Sequence, residues 1–109
     1  MNEATTAWRQ LVDQVEGGYG WCVDEYTNDL TARDWLDEAW PVLTSRVRAA
    51  REPELAAIDA RFRAATTDDD GELLAHFFRV GRRSGWWWRR RPLHLVGQFA
   101  EDARRAGVL

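Results

Sequence analysis

The chain contains no lysine; all fifteen of its cationic side chains are arginine. That absence removes Schiff-base chemistry and the lysine of a phosphate-binding loop. The bias is that of a GC-rich bacterial genome, which enriches alanine and arginine together. Cysteine is nearly as scarce: with Cys22 alone there is no internal disulfide and no thiolate metal cluster. Histidine is limited to His76 and His94. Glu72 and His76 stand four apart and share a helix face, but a carboxylate-bridged di-metal bundle needs Glu-x-x-His sets on several helices. His94 by itself leaves a zinc site short of ligands. Cys22 has no histidine near it in sequence, and Ser45 and Ser84 sit in no nucleophile motif. The expectation is therefore no catalytic residue, no metal and no cofactor.

Long apolar runs are missing as well. Nothing approaches the roughly 20 residues that span a bilayer, and the N-terminus is too polar for a secretory leader. A cytoplasmic location with no membrane contact is expected.

What the sequence does contain is a folded domain's share of apolar side chains, 45%, beside 30% charged residues. A length of 109 residues predicts one domain spanning 1–109. The formal net charge of −3 and pI near 5.3 give no bulk attraction to nucleic acid. The charge is unevenly spread. Residues 1–45 carry nine acids against Arg9 and Arg33, whereas residues 46–109 carry thirteen arginines against nine acids. Such a dipolar chain suits oriented association with a charged partner or with another copy of itself.

Helical periodicity dominates, and no alternation of period two is apparent. Trp8, Leu11, Val12 and Val15 predict a first helix, capped at Thr5 or Thr6 and stopped by Gly17-Gly18. A second piece, from about Trp21 to Asp29, buries Val23 and Tyr26. The Thr31-x-x-Asp34 pattern then marks a fresh start. Trp35, Leu36, Ala39, Trp40, Leu43 and Val47 form an apolar stripe that runs past Pro41. This predicts one kinked helix over 32–51, with two shorter helices as the alternative. Pro53 suits the first position of the next helix, carrying Leu55, Ile58, Phe62 and Ala65. Residues 66–71 read as an exposed loop whose aspartates cap a fifth helix, with Leu73, Leu74, Phe77, Phe78 and Val80, ending near Gly81. Residues 82–91 read as irregular or a short turn, and Pro92 opens a last helix that Gly107 ends. The predicted fold is all-α: a compact single-domain bundle of five to six helices with short loops.

Two stretches are candidates for function. The first is Trp86, Trp87 and Trp88 followed by Arg89, Arg90 and Arg91. Indoles bury large areas yet want a partner for the ring N–H, so the block reads three ways. It is a buried cross-brace whose arginines face acids of the first half, a protein-docking patch of the residue types that dominate interfaces, or a nucleic-acid platform using the Arg79–Arg91 segment. The second is the acidic run of Asp24, Glu25, Asp29, Asp34, Asp37 and Glu38. It is either a solvated face, with Asp29–Arg33 or Arg33–Asp37 pairing at helical spacing, or a docking surface for a basic protein.

The segment Tyr26-Thr27-Asn28-Asp29-Leu30-Thr31-Ala32-Arg33-Asp34-Trp35-Leu36 resembles parts of small helical bacterial immunity proteins, which neutralise a secreted toxin. The resemblance implies a stoichiometric inhibitor whose acidic half covers the basic active site of a nuclease. The expected function is thus a non-enzymatic protein-binding domain with a basic partner or a second copy of itself. A nucleic-acid-binding module is the alternative.

Overall fold

The computed structural model describes residues 2–77 and 85–107, the side chain of Asn2 excepted. The segment 78–84, with Phe78, Val80 and Gly81 of the expected fifth helix and Arg79 of the basic segment, lies outside the described residues. Helix α1 (Asn2–Glu16) forms around the predicted stripe, with Trp8, Leu11, Val12 and Val15 all buried. It begins ahead of Thr5 and stops where expected. Gly17 and Gly18 donate back to the carbonyls of Asp13 and Val15, and Gly18 takes a positive φ of 95°.

Helix α2 (Val23–Ala39) is continuous through Thr31. The hydroxyls of Thr27 and Thr31 donate to the carbonyls of Asp24 and Asn28, so neither competes for a free N–H as a cap would. As a single helix, α2 buries Val23, Tyr26, Leu30, Arg33 and Leu36 along one face. Trp35, one position and 100° away from Leu36, is left 66% exposed rather than in the core.

Pro41 separates two helices instead of kinking one. It has no N–H and its ring crowds the preceding turn, and the chain answers with a 3-10 turn, Trp40–Val42, followed by extended Leu43. Thr44 then caps α3 (Ser45–Ala65), its hydroxyl accepting from the Val47 N–H at 3.2 Å. Pro53 lies inside α3 and does not start it. Both Pro53 and Ala49, whose carbonyl the proline leaves without a donor, are exposed, so water can take the missing bond's place. Val47, expected in the apolar stripe, is 37% exposed.

Helix α1 packs against both α2 and α3. Arg9 pairs with Glu54, and Arg61 with Asp13 and Glu16. The partners advance together along the two helices, so α1 and α3 run parallel, and α1 lies against both α2 and α3.

The remainder departs from an all-α fold. Thr66–Asp68 (β1) and Arg90–Pro92 (β2) form a two-stranded antiparallel sheet in the register Thr66↔Pro92, Thr67↔Arg91, Asp68↔Arg90. Between them, Asp69 accepts the N–H groups of Gly71 and Leu73, capping the short α4 (Glu72–Ala75) as the sequence suggests. Pro92 closes β2 and opens no helix. The last helix, α5, runs over Gly97–Arg105, leaving Leu93 and Val96 largely exposed, and Gly107 ends it with a φ of 76°. The fold is mostly helical, with five α-helices and one small sheet among the described residues.

Phe99 of α5 completes an edge-to-face cluster with Tyr19 and Tyr26, ring centres 5.0 to 5.9 Å apart. Gly97 holds that end together: its φ is 56°, and a Cβ there would lie 2.6 Å from the Gly20 carbonyl oxygen. No helix among the described residues is long and apolar enough to cross a membrane.

Candidate functional site

Buried indoles need acceptors and buried carboxylates need donors, and the chain answers both needs at once. Asp59 follows Ile58 on the inner side of α3, where its Oδ1 accepts from Trp8 Nε1 and Arg33 Nε, each at 3.0 Å. Its Oδ2 accepts from Arg33 Nη2 at 3.0 Å. Both charged residues are over nine-tenths buried. The Arg33 guanidinium also lies 4.5 Å from the centre of the Trp87 ring, a cation–π contact. Asp34, next along α2, accepts the indole N–H of both Trp87 (2.9 Å) and Trp88 (2.8 Å) on a single oxygen. Hydrogen bonds to an ionised acceptor are about twice as strong as neutral ones.

The tryptophan block is therefore tied into the core. Trp87 and Trp88 are buried. Trp86 is half-buried, against Phe62 on one side and with the Arg63 guanidinium 3.9 Å from its ring centre. The missing side chain at Gly85 permits this, since a Cβ there would fall 2.3 Å from the Trp87 ring. The arginines that follow do not face acids of the first half. Arg89 stands 3.7 Å from Asp70. Arg90 donates to the Thr66 hydroxyl and to the carbonyls of Arg63 and Thr66. Arg91 sits half-buried on β2, opposite Thr67.

The outer face of α2 is different. Asp24, Glu25 and Glu38 are exposed there with Asn28 and Trp35; Asp37 is exposed too, but four residues after Arg33 it lies on the other side of the helix, near its end. Asp29 is half-buried and accepts the Tyr19 hydroxyl at 2.8 Å; burial and this carboxylate push the Tyr19 phenol well above its ordinary pKa. Arg33, the one cation of α2, faces inward to Asp59 and pairs with neither Asp29 nor Asp37. Beside this face, a shallow groove of about 490 Å³ runs between α1 and α2, floored by Ala4, Ala7 and Ala32 and bounded by Glu3, Asp29 and Trp35.

No family model, curated protein or solved structure matches the chain.

Among the described residues no three His, Cys, Asp or Glu side chains converge as a metal site would require. Glu72 and His76 are exposed and Cys22 is half-buried. Sequence reasoning misplaced Trp35, taken for a core residue, and overlooked Asp59. The second was detectable: an acid at i+4 from Leu55 and i−3 from Phe62 lies on the apolar stripe, where it must find a buried donor.

Proposed function

We propose that the chain is a non-enzymatic protein-binding domain whose docking face is the outer side of α2, centred on Trp35. One observation carries this reading: the only cation of α2 is withdrawn into the core. Among the described residues no cation pairs with Asp24, Glu25 or Glu38, on the side of α2 that carries a largely exposed indole. Charge of one sign steers a partner of the other sign and accelerates encounter. An exposed tryptophan supplies the area and directionality of an interface anchor. The partner is accordingly a protein with a basic surface. An immunity-type inhibitor covering the basic site of a toxin or nuclease, as the Tyr26–Leu36 segment suggests, is the specific form proposed.

A nucleic-acid module built on Arg79–Arg91 has less support. Trp87 and Trp88 spend their rings and N–H groups inside, and Arg90 spends its guanidinium on Thr66 and two carbonyls. The Arg79–Ser84 part of that segment lies outside the described residues.

The test is capture from a lysate of the source organism by three immobilised forms: the natural chain, Trp35→Ala and Asp24→Arg. A basic protein retained by the first and at least tenfold weaker on both others supports the reading. Equal retention by all three, or no basic protein at all, refutes it.

A further inference from the structure

The turn joining α2 to α3 carries charge of the wrong sign on both sides. A helix is partially positive at its N-terminus and partially negative at its C-terminus, so acids belong in the first turn and bases in the last. Helix α2 ends on Asp37 and Glu38, with no base in its last turn. Helix α3 opens with Arg46 and Arg48, with no acid in its first turn. Nothing among the described residues compensates: no acid pairs with Arg46 or Arg48, and no arginine pairs with Asp37 or Glu38. Arg48 reaches only the Pro41 carbonyl and the Ser45 hydroxyl, each at 3.4 Å.

Apolar side chains are exposed at the same place. Val42 is 82% and Val47 37% accessible. Leu36 and Trp40 line one small crevice with Arg51 and Leu55, so the end of α2 lies beside the second and third turns of α3, and the intervening turn keeps the start of α3 near it. A local rule broken twice, with no gain among the described residues, points to a gain outside the chain.

The geometry points to a symmetric dimer in which a second copy of this chain covers the turn. Each copy sets its Arg46 and Arg48 against the other's Asp37 and Glu38, with Val42 and Val47 of both copies between them. Neighbouring patches of opposite charge are self-complementary about a two-fold axis passing between them, so the contact closes at two and does not propagate. In the dimer, the carboxylates that oppose the α2 dipole and the guanidinium groups that oppose the α3 dipole find the partners the monomer denies them. The inference shares Glu38 with the proposed docking face and to that extent rests on it. It also requires Val42, Arg46 and Arg48, which that reading does not use.

Light scattering on the size-fractionated full chain, at low ionic strength and rising concentration, provides the test. The natural chain is expected at about twice its 12.6 kDa mass. Arg46→Glu with Arg48→Glu gives a monomer, as does Asp37→Arg with Glu38→Arg. An equimolar mixture of the two variants returns to the dimer mass, because each now presents what the other lacks. The substituted charges all suit the helix ends that receive them, so helix content by circular dichroism stays at the natural level. Val42→Asp, at a side chain with no packing to lose, weakens the dimer at least tenfold.

A natural chain that remains at 12.6 kDa overturns the inference. So does a dimer indifferent to both charge reversals, a mixture that stays monomeric, or growth beyond two copies. The two readings fail separately. A monomer that still captures a basic protein through Trp35 removes the dimer and leaves the docking face. A charge-sensitive dimer that captures nothing does the reverse.

Discussion

Asp59 and Asp34 each collect donors from two other residues, Trp8 and Arg33 for the first, Trp87 and Trp88 for the second. Removing Arg33 alone leaves a carboxylate inside the protein with only the Trp8 N–H beside it. Breaking a buried pair from one side costs about 3–5 kcal/mol, so Arg33→Met is expected to lower the urea unfolding free energy by that amount. Arg33→Met with Asp59→Leu removes the stranded charge and recovers most of the loss. A deficit of about 1–3 kcal/mol persists from the Trp8 indole, now without its acceptor. A double variant as unstable as the single one would show that the pair is worth more than its absence. The two tyrosines of the chain behave as a second residue-scale reporter. Burial pushes both hydroxyls well above the ordinary value of 10.0; Tyr26 has no hydrogen-bond partner among the described residues and Tyr19 donates to Asp29. The folded state thus holds two protons that the unfolded chain gives up near pH 10. Their contribution is complete below that pH and is lost as pH rises above it. Absorbance at 295 nm should show no phenolate until the far-ultraviolet helix signal collapses, and both changes should share one midpoint. Phenolate appearing in a folded chain would contradict the burial of Tyr19 and Tyr26.

At the scale of the element, what could be read from the sequence depended on which residues had a single physical solution. The α1 stripe, the Gly17-Gly18 stop, the aspartate cap of α4 and the Gly107 end each have one, and each stands where periodicity and capping place it. The two prolines do not. Pro41 and Pro53 both sit within apolar periodicity, and either could break a helix or be carried through one. Only the fit of α2 and α3 around α1 decides that the first breaks and the second does not. Thr31 failed as a start signal because a hydroxyl can also bond backward within a helix. Strands β1 and β2 escaped notice because three residues are too few to show a period, and their pairing joins positions more than twenty residues apart. The candidate acids were legible as a run, but their role depended on where Arg33 points; i+3 from Leu30 and i−3 from Leu36, it joins the buried stripe only once α2 is continuous through Thr31. The charges around the turn were visible and unread. At the α2 and α3 termini each misplaced charge costs about 0.3–1 kcal/mol. Asp37→Arg with Glu38→Arg should therefore raise the monomer's unfolding free energy by roughly 1 kcal/mol in dilute, low-salt urea titrations. A fall in stability would mean that these carboxylates serve the folded monomer.

Across the whole molecule, charge is segregated, and little of it is cancelled internally. Among the exposed pairs, Arg9–Glu54 and Arg61 with Asp13 and Glu16 lie on the α1–α3 side, Arg89–Asp70 and Arg105–Glu101 elsewhere. Arg61 holds the Glu16 carboxyl below its usual range, yet pairs this exposed contribute little net stability. Among the described residues no cation pairs with Asp24, Glu25, Asp37 or Glu38 of α2, so these carboxylates repel one another in the monomer and attract cations from outside. Both effects are screened over about 10 Å at 0.1 M salt, but they act in opposite directions. Screening relieves the repulsion and strengthens the folded monomer, whereas it weakens association through Asp37, Glu38, Arg46 and Arg48. The buried Arg33–Asp59 pair is shielded from the solvent and changes little either way. Raising sodium chloride from about 0.02 to 0.5 M should therefore move two measurements apart: the urea midpoint of the dilute chain rises while the scattering mass of the concentrated chain falls. If both fell together, the ion pairs within the fold would outweigh the acidic face, and the surplus of negative charge on α2 would not be available to a partner.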